Sequence, residues 1–145
     1  MIRGYFDPNF TDPLPTVRVG LFLPGITPSS VSVNFLLDTG ADTTALHPRD
    51  AIFRVGINEA NLNQPSLWPR RRRAGGVGGT GEYYLHPAHY AFRHDDGRVQ
   101  VIQADVWIAR PSSANETLES LLGWDVLRHF RIELDWGTRQ ITLGI

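Results

Sequence analysis

The sequence predicts an all-β domain whose strands close into a barrel, with one or two short helices. Two observations lead to this prediction. Short runs of alternating apolar and polar residues recur along most of the 145-residue chain, and turn-forming residues separate them. Helical periodicity is confined to two brief segments. Many short strands with few helices are typical of closed or sandwich-like β folds.

The first predicted hairpin lies near the amino terminus. Residues 16–23 alternate and end at Pro24 and Gly25, and residues 31–37 form the next apolar run. Proline and glycine between two such runs favour a turn between antiparallel strands. We therefore expect residues 16–23 and 31–37 to pair.

Two more hairpins follow in the second half of the chain. Residues 82–92 and 99–109 flank a segment that contains Asp-Gly, a strong hairpin signal. Residues 131–135 and 139–143 flank Trp-Gly-Thr. Each pair is predicted to form an antiparallel ladder.

Helices are predicted at only two places. Residues 47–55 carry Pro48 at a position suited to a first helical turn, and residues 125–130 form a second short apolar segment. Length and composition predict a single domain, with residues 1–15 as an N-terminal arm broken by prolines and residues 16–145 as the folded body.

Composition excludes several kinds of chemistry. The chain has no cysteine, and all 14 of its basic residues are arginine. Disulfides, thiolate nucleophiles and lysine Schiff bases are therefore impossible. A formal charge of -1 argues against a nucleic-acid partner, and no apolar run approaches the length of a membrane span. The first residues have no apolar signal core, so we expect a cytoplasmic protein.

The segment most indicative of chemistry is Phe-Leu-Leu-Asp-Thr-Gly-Ala-Asp-Thr-Thr, residues 35–44. An acidic residue, Asp38, follows an apolar strand directly, and Gly40 permits a sharp turn with backbone N–H groups aimed at the carboxylate. Thr39 offers a hydroxyl that can brace the loop. A carboxylate held in this way is suited to acid–base chemistry.

A second unusual segment is rich in glycine. Residues 75–81 contain a formal G-x-G-x-x-G pattern, but the following run is strand-like and offers no helix N-terminus for a pyrophosphate. A dinucleotide site is therefore not expected. Glycines around Val77 favour a mobile hairpin tip, and an ordinary loose loop is the alternative.

Together these segments resemble the retropepsin-like aspartic proteases. Residues 35–44 match the active-site signature of that family, residues 75–81 match its flap, and residues 121–127 match its apolar-apolar-Gly segment before a C-terminal helix. The order and approximate spacing agree over nearly the whole chain. The resemblance implies a closed acid-protease barrel with a flap hairpin.

The resemblance also implies an activity and its residues. It implies an aspartic endopeptidase that hydrolyses peptide bonds of a peptide or protein substrate, needing neither metal nor cofactor. Asp38 is the catalytic residue, with Thr39 and Gly40 holding its loop. The implied substrate-binding residues lie in that loop and in the flap: Ala41, Asp42, Gly75, Gly76, Val77, Gly78 and Gly79.

The chain holds one Asp-Thr-Gly, so the second carboxylate of the dyad is expected from a second copy, in a homodimer. Residues 134–138 lack the threonine and are expected to form a hairpin turn with an exposed acid.

Residues 141–145 are a candidate strand for an interfacial sheet. Trp124 stands where retroviral relatives have arginine and is expected at the dimer contact, while Asp125 is expected to cap the next helix or to accept from an arginine.

Other interpretations stay open. A non-catalytic peptide-binding or dimerisation module on the same fold is the alternative function.

The four arginines at residues 70–73 are expected in a solvated loop, with attraction of acidic substrates as the functional alternative. His47 and His129 are isolated, His86 and His89 point to opposite strand faces, and His94 is expected in an exposed turn.

Overall fold

The computed structural model describes residues 1–8, 14–76 and 79–145. In these residues the fold is all-β, as predicted, and its strands form one mixed sheet. Its strands are β1 (Ile2–Asp7), β2 (Leu14–Phe22), β3 (Val31–Leu37), β4 (Ala45–Leu46), β5 (Arg71–Gly76), β6 (Gly79–Arg93), β7 (Val99–Ala109), β8 (Leu121–Leu122), β9 (Arg131–Asp135) and β10 (Gln140–Gly144). No helix in the described part of the chain is long and apolar enough to cross a bilayer.

Six of the strands close into a ring. The ladder runs β6–β7–β4–β8–β3–β2, and β2 pairs again with β6. Most pairings are antiparallel, whereas β3 runs parallel to β8 and β4 runs parallel to β7. The two shortest strands, β4 and β8, pair antiparallel with each other and lie in the part of the ring where β3 ends.

The three predicted hairpins are confirmed. β2 pairs with β3, β6 with β7, and β9 with β10. In the first hairpin, every second residue points into the ring. Those residues are fully buried: Val17, Val19 and Leu21 on β2, and Val33 and Phe35 on β3. The core of the ring is therefore built from the alternating positions that the sequence indicated.

Helical structure is brief. α1 (Pro48–Asp50) runs into a π-helical turn (Ala51–Val55) that ends at Gly56, whose φ of 86° is in the left-handed region. α3 (Trp124–Leu127) begins one residue before the second predicted helix and covers its first half. The prediction of one or two helices was nevertheless too low, because α2 (Glu59–Leu62) and a 3-10 turn (Pro65–Leu67) lie between them.

The N-terminal arm contains a strand of the sheet. β1 pairs through its first half with β10 and through its second half with β2, so it connects the ring to the C-terminal hairpin. The arm is therefore part of the sheet: β1 ends at Asp7, before Pro8, and Pro15 lies in β2 opposite Phe6. β10 lies between β1 and β9 and so has neighbours within the chain on both edges.

The arginine run also lies in a strand. Arg71, Arg72 and Arg73 begin β5, which pairs with the start of β6. The expectation of a solvated loop was wrong in conformation, although the three side chains are exposed. β5 and β6 pair where a flap was predicted, and we call this pair the flap hairpin; it is described as far as Gly76–Gly79, while Val77 and Gly78 lie outside the described residues.

Candidate active site

Asp38 directly follows β3 at the rim of the ring. Its backbone N–H donates to the carbonyl oxygen of Leu122 over 3.1 Å, which continues the pairing of β3 with β8 by one residue. The preceding Leu37 is buried and anchors the strand end in the core. Asp38 itself is half-buried. The carboxylate is thus held at the boundary between the core and the solvent.

The loop after Asp38 folds back onto the carboxylate. The backbone N–H of Gly40 donates to Asp38 Oδ1 over 2.9 Å, and the N–H of Ala41 donates to the Asp38 carbonyl over 3.2 Å. The sequence-based expectation of a glycine turn aimed at the acid is confirmed. The Thr39 side chain is exposed, and its hydroxyl has no hydrogen-bond partner among the residues that the structure describes.

A second brace holds the far end of this loop. Thr44 is fully buried and donates twice to Asp125, from its hydroxyl to Oδ1 over 2.7 Å and from its backbone N–H to Oδ2 over 2.9 Å. The hydroxyl of Thr44 also accepts from the N–H of Gly123 over 3.0 Å. Asp125 therefore neither caps α3 nor pairs with an arginine, so both alternatives expected for it were wrong.

Backbone contacts complete the clamp. The N–H of Trp124 donates to the Ala41 carbonyl over 2.9 Å, and that of Asp125 donates to the Asp42 carbonyl over 3.1 Å. A Cβ on Gly123 would lie 2.5 Å from the backbone carbonyl of Thr43. The two segments that the sequence singled out separately, residues 35–44 and 121–127, are therefore in direct contact.

A cleft of about 360 Å³ opens beside Asp38. It is bounded by the Asp38 loop, by the residue before α1, by the flap hairpin, and by single residues of β4, β6, β7 and β8. The lining residues are Asp38, Gly40, Ala41, Asp42, Thr43, Ala45, His47, Ala74, Gly75, Tyr83, Trp107 and Leu121. Four of the predicted site residues, Asp38, Gly40, Ala41 and Asp42, share this cleft with Gly75 of the flap hairpin.

The remaining predicted site residues are placed differently. Thr39 belongs to the loop but does not line the cleft. Gly76 and Gly79 pair with each other where β5 and β6 meet. The predicted roles of Val77 and Gly78 fall outside the described residues and stay predictions.

Two aromatic side chains form one wall of the cleft. Tyr83 on β6 and Trp107 on β7 have ring centroids 5.8 Å apart with a tilt of 58° between planes. Burial raises the pKa of Tyr83 above its ordinary value, so this phenol stays neutral at physiological pH. The wall is therefore uncharged and offers ring faces.

His47, which is isolated in the sequence, lines the same cleft. Its side chain is 2% exposed, and its Nδ1–H donates to the carbonyl oxygen of Glu119. Its backbone N–H donates to Ser120 Oγ over 3.0 Å, and that hydroxyl in turn donates to the buried Asp50 over 2.6 Å. Burial lowers the pKa of His47, and the Glu119 carbonyl and the charges of Asp50 and Glu119 oppose this only in part.

The other histidines lie apart from the cleft. His86 bonds to the carbonyl of Pro24 and His89 packs against the ring of Phe22. His94 is buried rather than exposed, which corrects the sequence-based expectation. Among residues 1–8, 14–76 and 79–145, no cluster of three or more acidic or histidine side chains could hold a metal ion.

The alternative second loop, residues 134–138, is a hairpin turn as expected. Asp135 is exposed, and its Oδ1 accepts from the N–H of Thr138 over 3.1 Å. Hydrogen bonds from Thr138 and Gly137 lower the pKa of Asp135. Asp135 is a turn-capping carboxylate and does not line the Asp38 cleft.

No protein-family model matches this chain.

Proposed function

We propose that this chain is a cytoplasmic aspartic endopeptidase with a retropepsin-like fold, active as a homodimer. The observation that carries the proposal is the placement of the half-buried Asp38 carboxylate in a cleft that Gly75 of the flap hairpin also lines. A glycine N–H fixes that carboxylate from one side, and the contacts with residues 123–125 fix its loop from the other. A carboxylate preorganised at the edge of a cleft is suited to activating water.

The chemistry requires a second carboxylate. Two Asp38 side chains that face each other cannot both be ionised, so the pair shares one proton. The ionised member removes a proton from a water molecule, whose oxygen attacks the peptide carbonyl carbon. The protonated member hydrogen-bonds to the carbonyl oxygen as the tetrahedral intermediate forms. The C–N bond then breaks as a proton passes to the leaving nitrogen.

Two exposed features beside Asp38 support association at this face. Thr39 and Gly40 are exposed at the tip of the loop, and the Trp124 side chain is 41% exposed on the segment bonded to Ala41. A large exposed aromatic residue beside a functional loop is typical of an interface. β10 has strand neighbours on both edges, so a partner strand cannot add to it as the sequence led us to expect, and we place the proposed interface at the Asp38 loops.

A peptide library incubated with wild type, Asp38→Asn and Asp135→Asn tests the proposal. We expect cleavage by wild type and by Asp135→Asn and none by Asp38→Asn, with all three folded by circular dichroism. Cleavage that persists in Asp38→Asn contradicts the proposed chemistry. A folded wild-type dimer that binds peptides and cleaves none supports the non-catalytic binding module instead.

A further inference from the structure

The charged carboxylates that line the cleft are of one sign. Asp38 and Asp42 are the ionisable carboxylates that line it, and none of its described lining residues is an arginine. No described residue hydrogen-bonds to the Asp42 carboxylate, which is exposed at the cleft. The exposed arginines of β5 precede the part of the flap hairpin that reaches the cleft, which is Ala74 and Gly75. Within the cleft, the two carboxylates therefore favour a cation.

His47 contributes a hydrogen-bond acceptor. A carbonyl oxygen can only accept, so the bond to Glu119 fixes the proton of the neutral imidazole on Nδ1. Nε2 then carries a lone pair, and it has no partner among the described residues. His47 lines the cleft and its Nε2 is not sealed from solvent, so water or an N–H of a bound ligand can donate to that lone pair.

The aromatic wall suits a planar cation. Tyr83 and Trp107 are neutral rings at the side of the cleft, and guanidinium groups stack on such faces more readily than ammonium groups do. The volume of about 360 Å³ is near the lower end for small-ligand sites, so it fits one long side chain rather than a whole peptide.

We propose that this cleft is a specificity subsite for a basic side chain of the substrate, arginine above lysine. In this arrangement Asp42 receives the charge, His47 Nε2 accepts an N–H, and the rings of Tyr83 and Trp107 pack along the guanidinium. The proposal rests on the proposed peptidase function and adds the substrate class. The exposed charges of Arg71, Arg72 and Arg73 repel strongly basic peptides, so the substrate is one arginine among neutral or acidic residues.

The test uses matched peptides that differ at one position. A positional-scanning library first finds the position nearest the scissile bond at which arginine is favoured. Peptides with arginine, citrulline, norleucine or glutamate at that position are then compared by kcat/KM with wild type. Binding of the same fluorescent peptides to Asp38→Asn is measured by anisotropy. We expect arginine to exceed citrulline by about tenfold, since citrulline has the same shape without the charge.

Two variants separate the contributions. Asp42→Asn removes the charge and is expected to bring the arginine-to-citrulline ratio close to unity. His47→Asn keeps a donor for Glu119 but loses the Nε2 acceptor, and is expected to lower the preference for arginine and citrulline over norleucine. Asp96→Asn, in an exposed turn outside the cleft, is the matched control and leaves both ratios unchanged.

The outcomes distinguish this proposal from the proposed function. Asp38-dependent cleavage with equal rates for arginine and citrulline, or with a preference for glutamate, overturns the subsite and leaves the peptidase intact. Absence of cleavage with tight, Asp42-dependent binding of the arginine peptide supports the subsite and removes the peptidase. Equal affinities of Asp38→Asn for the arginine and norleucine peptides, measured by anisotropy, overturn the subsite whether or not the wild type cleaves peptides.

Discussion

Asp125 accepts both hydrogen bonds that buried Thr44 can donate, one from the hydroxyl and one from the backbone N–H. The pair joins the end of the Asp38 loop to the start of α3, two segments about 80 residues apart in sequence. Removing one member leaves buried polar groups of the other without partners. The position of the Asp38 loop therefore depends on a residue that makes no contact with the cleft.

Asp125→Ala tests this brace. We expect the free energy of unfolding to fall by about 3 kcal/mol, because two donors of Thr44 lose a charged acceptor. Asp125→Asn retains one acceptor oxygen and is expected to lose roughly half as much. Urea unfolding followed by tryptophan fluorescence measures both. Glu116→Ala, at an exposed position, is the control and should change the free energy of unfolding by less than about 0.5 kcal/mol. An equal loss of stability in the control and in Asp125→Ala argues against the brace.

Gly123→Ala tests the close approach of the two segments. The added Cβ would meet the backbone of Thr43 at 2.5 Å, and backbone atoms cannot rotate away. We expect a loss of at least about 2 kcal/mol of stability and of any Asp38-dependent cleavage, since the loop must shift. Gly75→Ala, where nothing lies within 4 Å, is the stability control. A Gly123→Ala protein with wild-type stability would show that the contact can relax.

Trp124→Ser tests the proposed interface. Replacing this partly exposed ring is expected to weaken self-association by about tenfold or more, as for other interface tryptophans. Activity per chain should fall with it and recover at high protein concentration. Phe53→Ser removes another exposed ring, 81% exposed and on the π-helical turn, and should leave association unchanged. Sedimentation velocity gives the association constants; equal effects of the two substitutions contradict the assigned face.

The lowered pKa of His47 predicts a pH dependence of stability. Its folded pKa lies below the unfolded value of about 6.5, so the unfolded chain binds the proton first as pH falls. The stability linked to neutral His47 is therefore complete above that value and is lost as pH falls through the folded pKa. His47→Asn should show a shallower decline in unfolding free energy between about pH 7 and 5. Parallel declines in the two proteins would contradict this linkage.

The alternating strands were predictable because periodicity and turn residues are local signals. β3 was predicted with its observed ends, since residues 31–37 alternate and stop at Asp38. β4 was missed because a two-residue strand has no period and exists through its neighbours in the ring. β8 has no period either, and only the family resemblance of residues 121–127 indicated a strand there. β5 was missed because three arginines and two glycines carry little strand propensity, and its pairing with β6 determines its conformation.

The candidate site was likewise predictable only where its structure depends on neighbouring residues in the sequence. The turn around Asp38 follows from Gly40, a local feature of the loop. The role of Asp125 was not predictable, because its partner Thr44 is brought near only by the parallel pairing of β3 with β8. His47 was set aside for the same reason, since its burial and its bond to Glu119 depend on contacts between distant segments.

The most direct test of the central claim is activity in mixtures of wild type and Asp38→Asn at constant total protein, after chains have exchanged. If each active site needs one Asp38 from each of two copies, activity falls with the square of the wild-type fraction, to about a quarter in an equal mixture. A linear fall, to about a half in that mixture, would show that one chain carries the chemistry alone and would contradict the shared dyad.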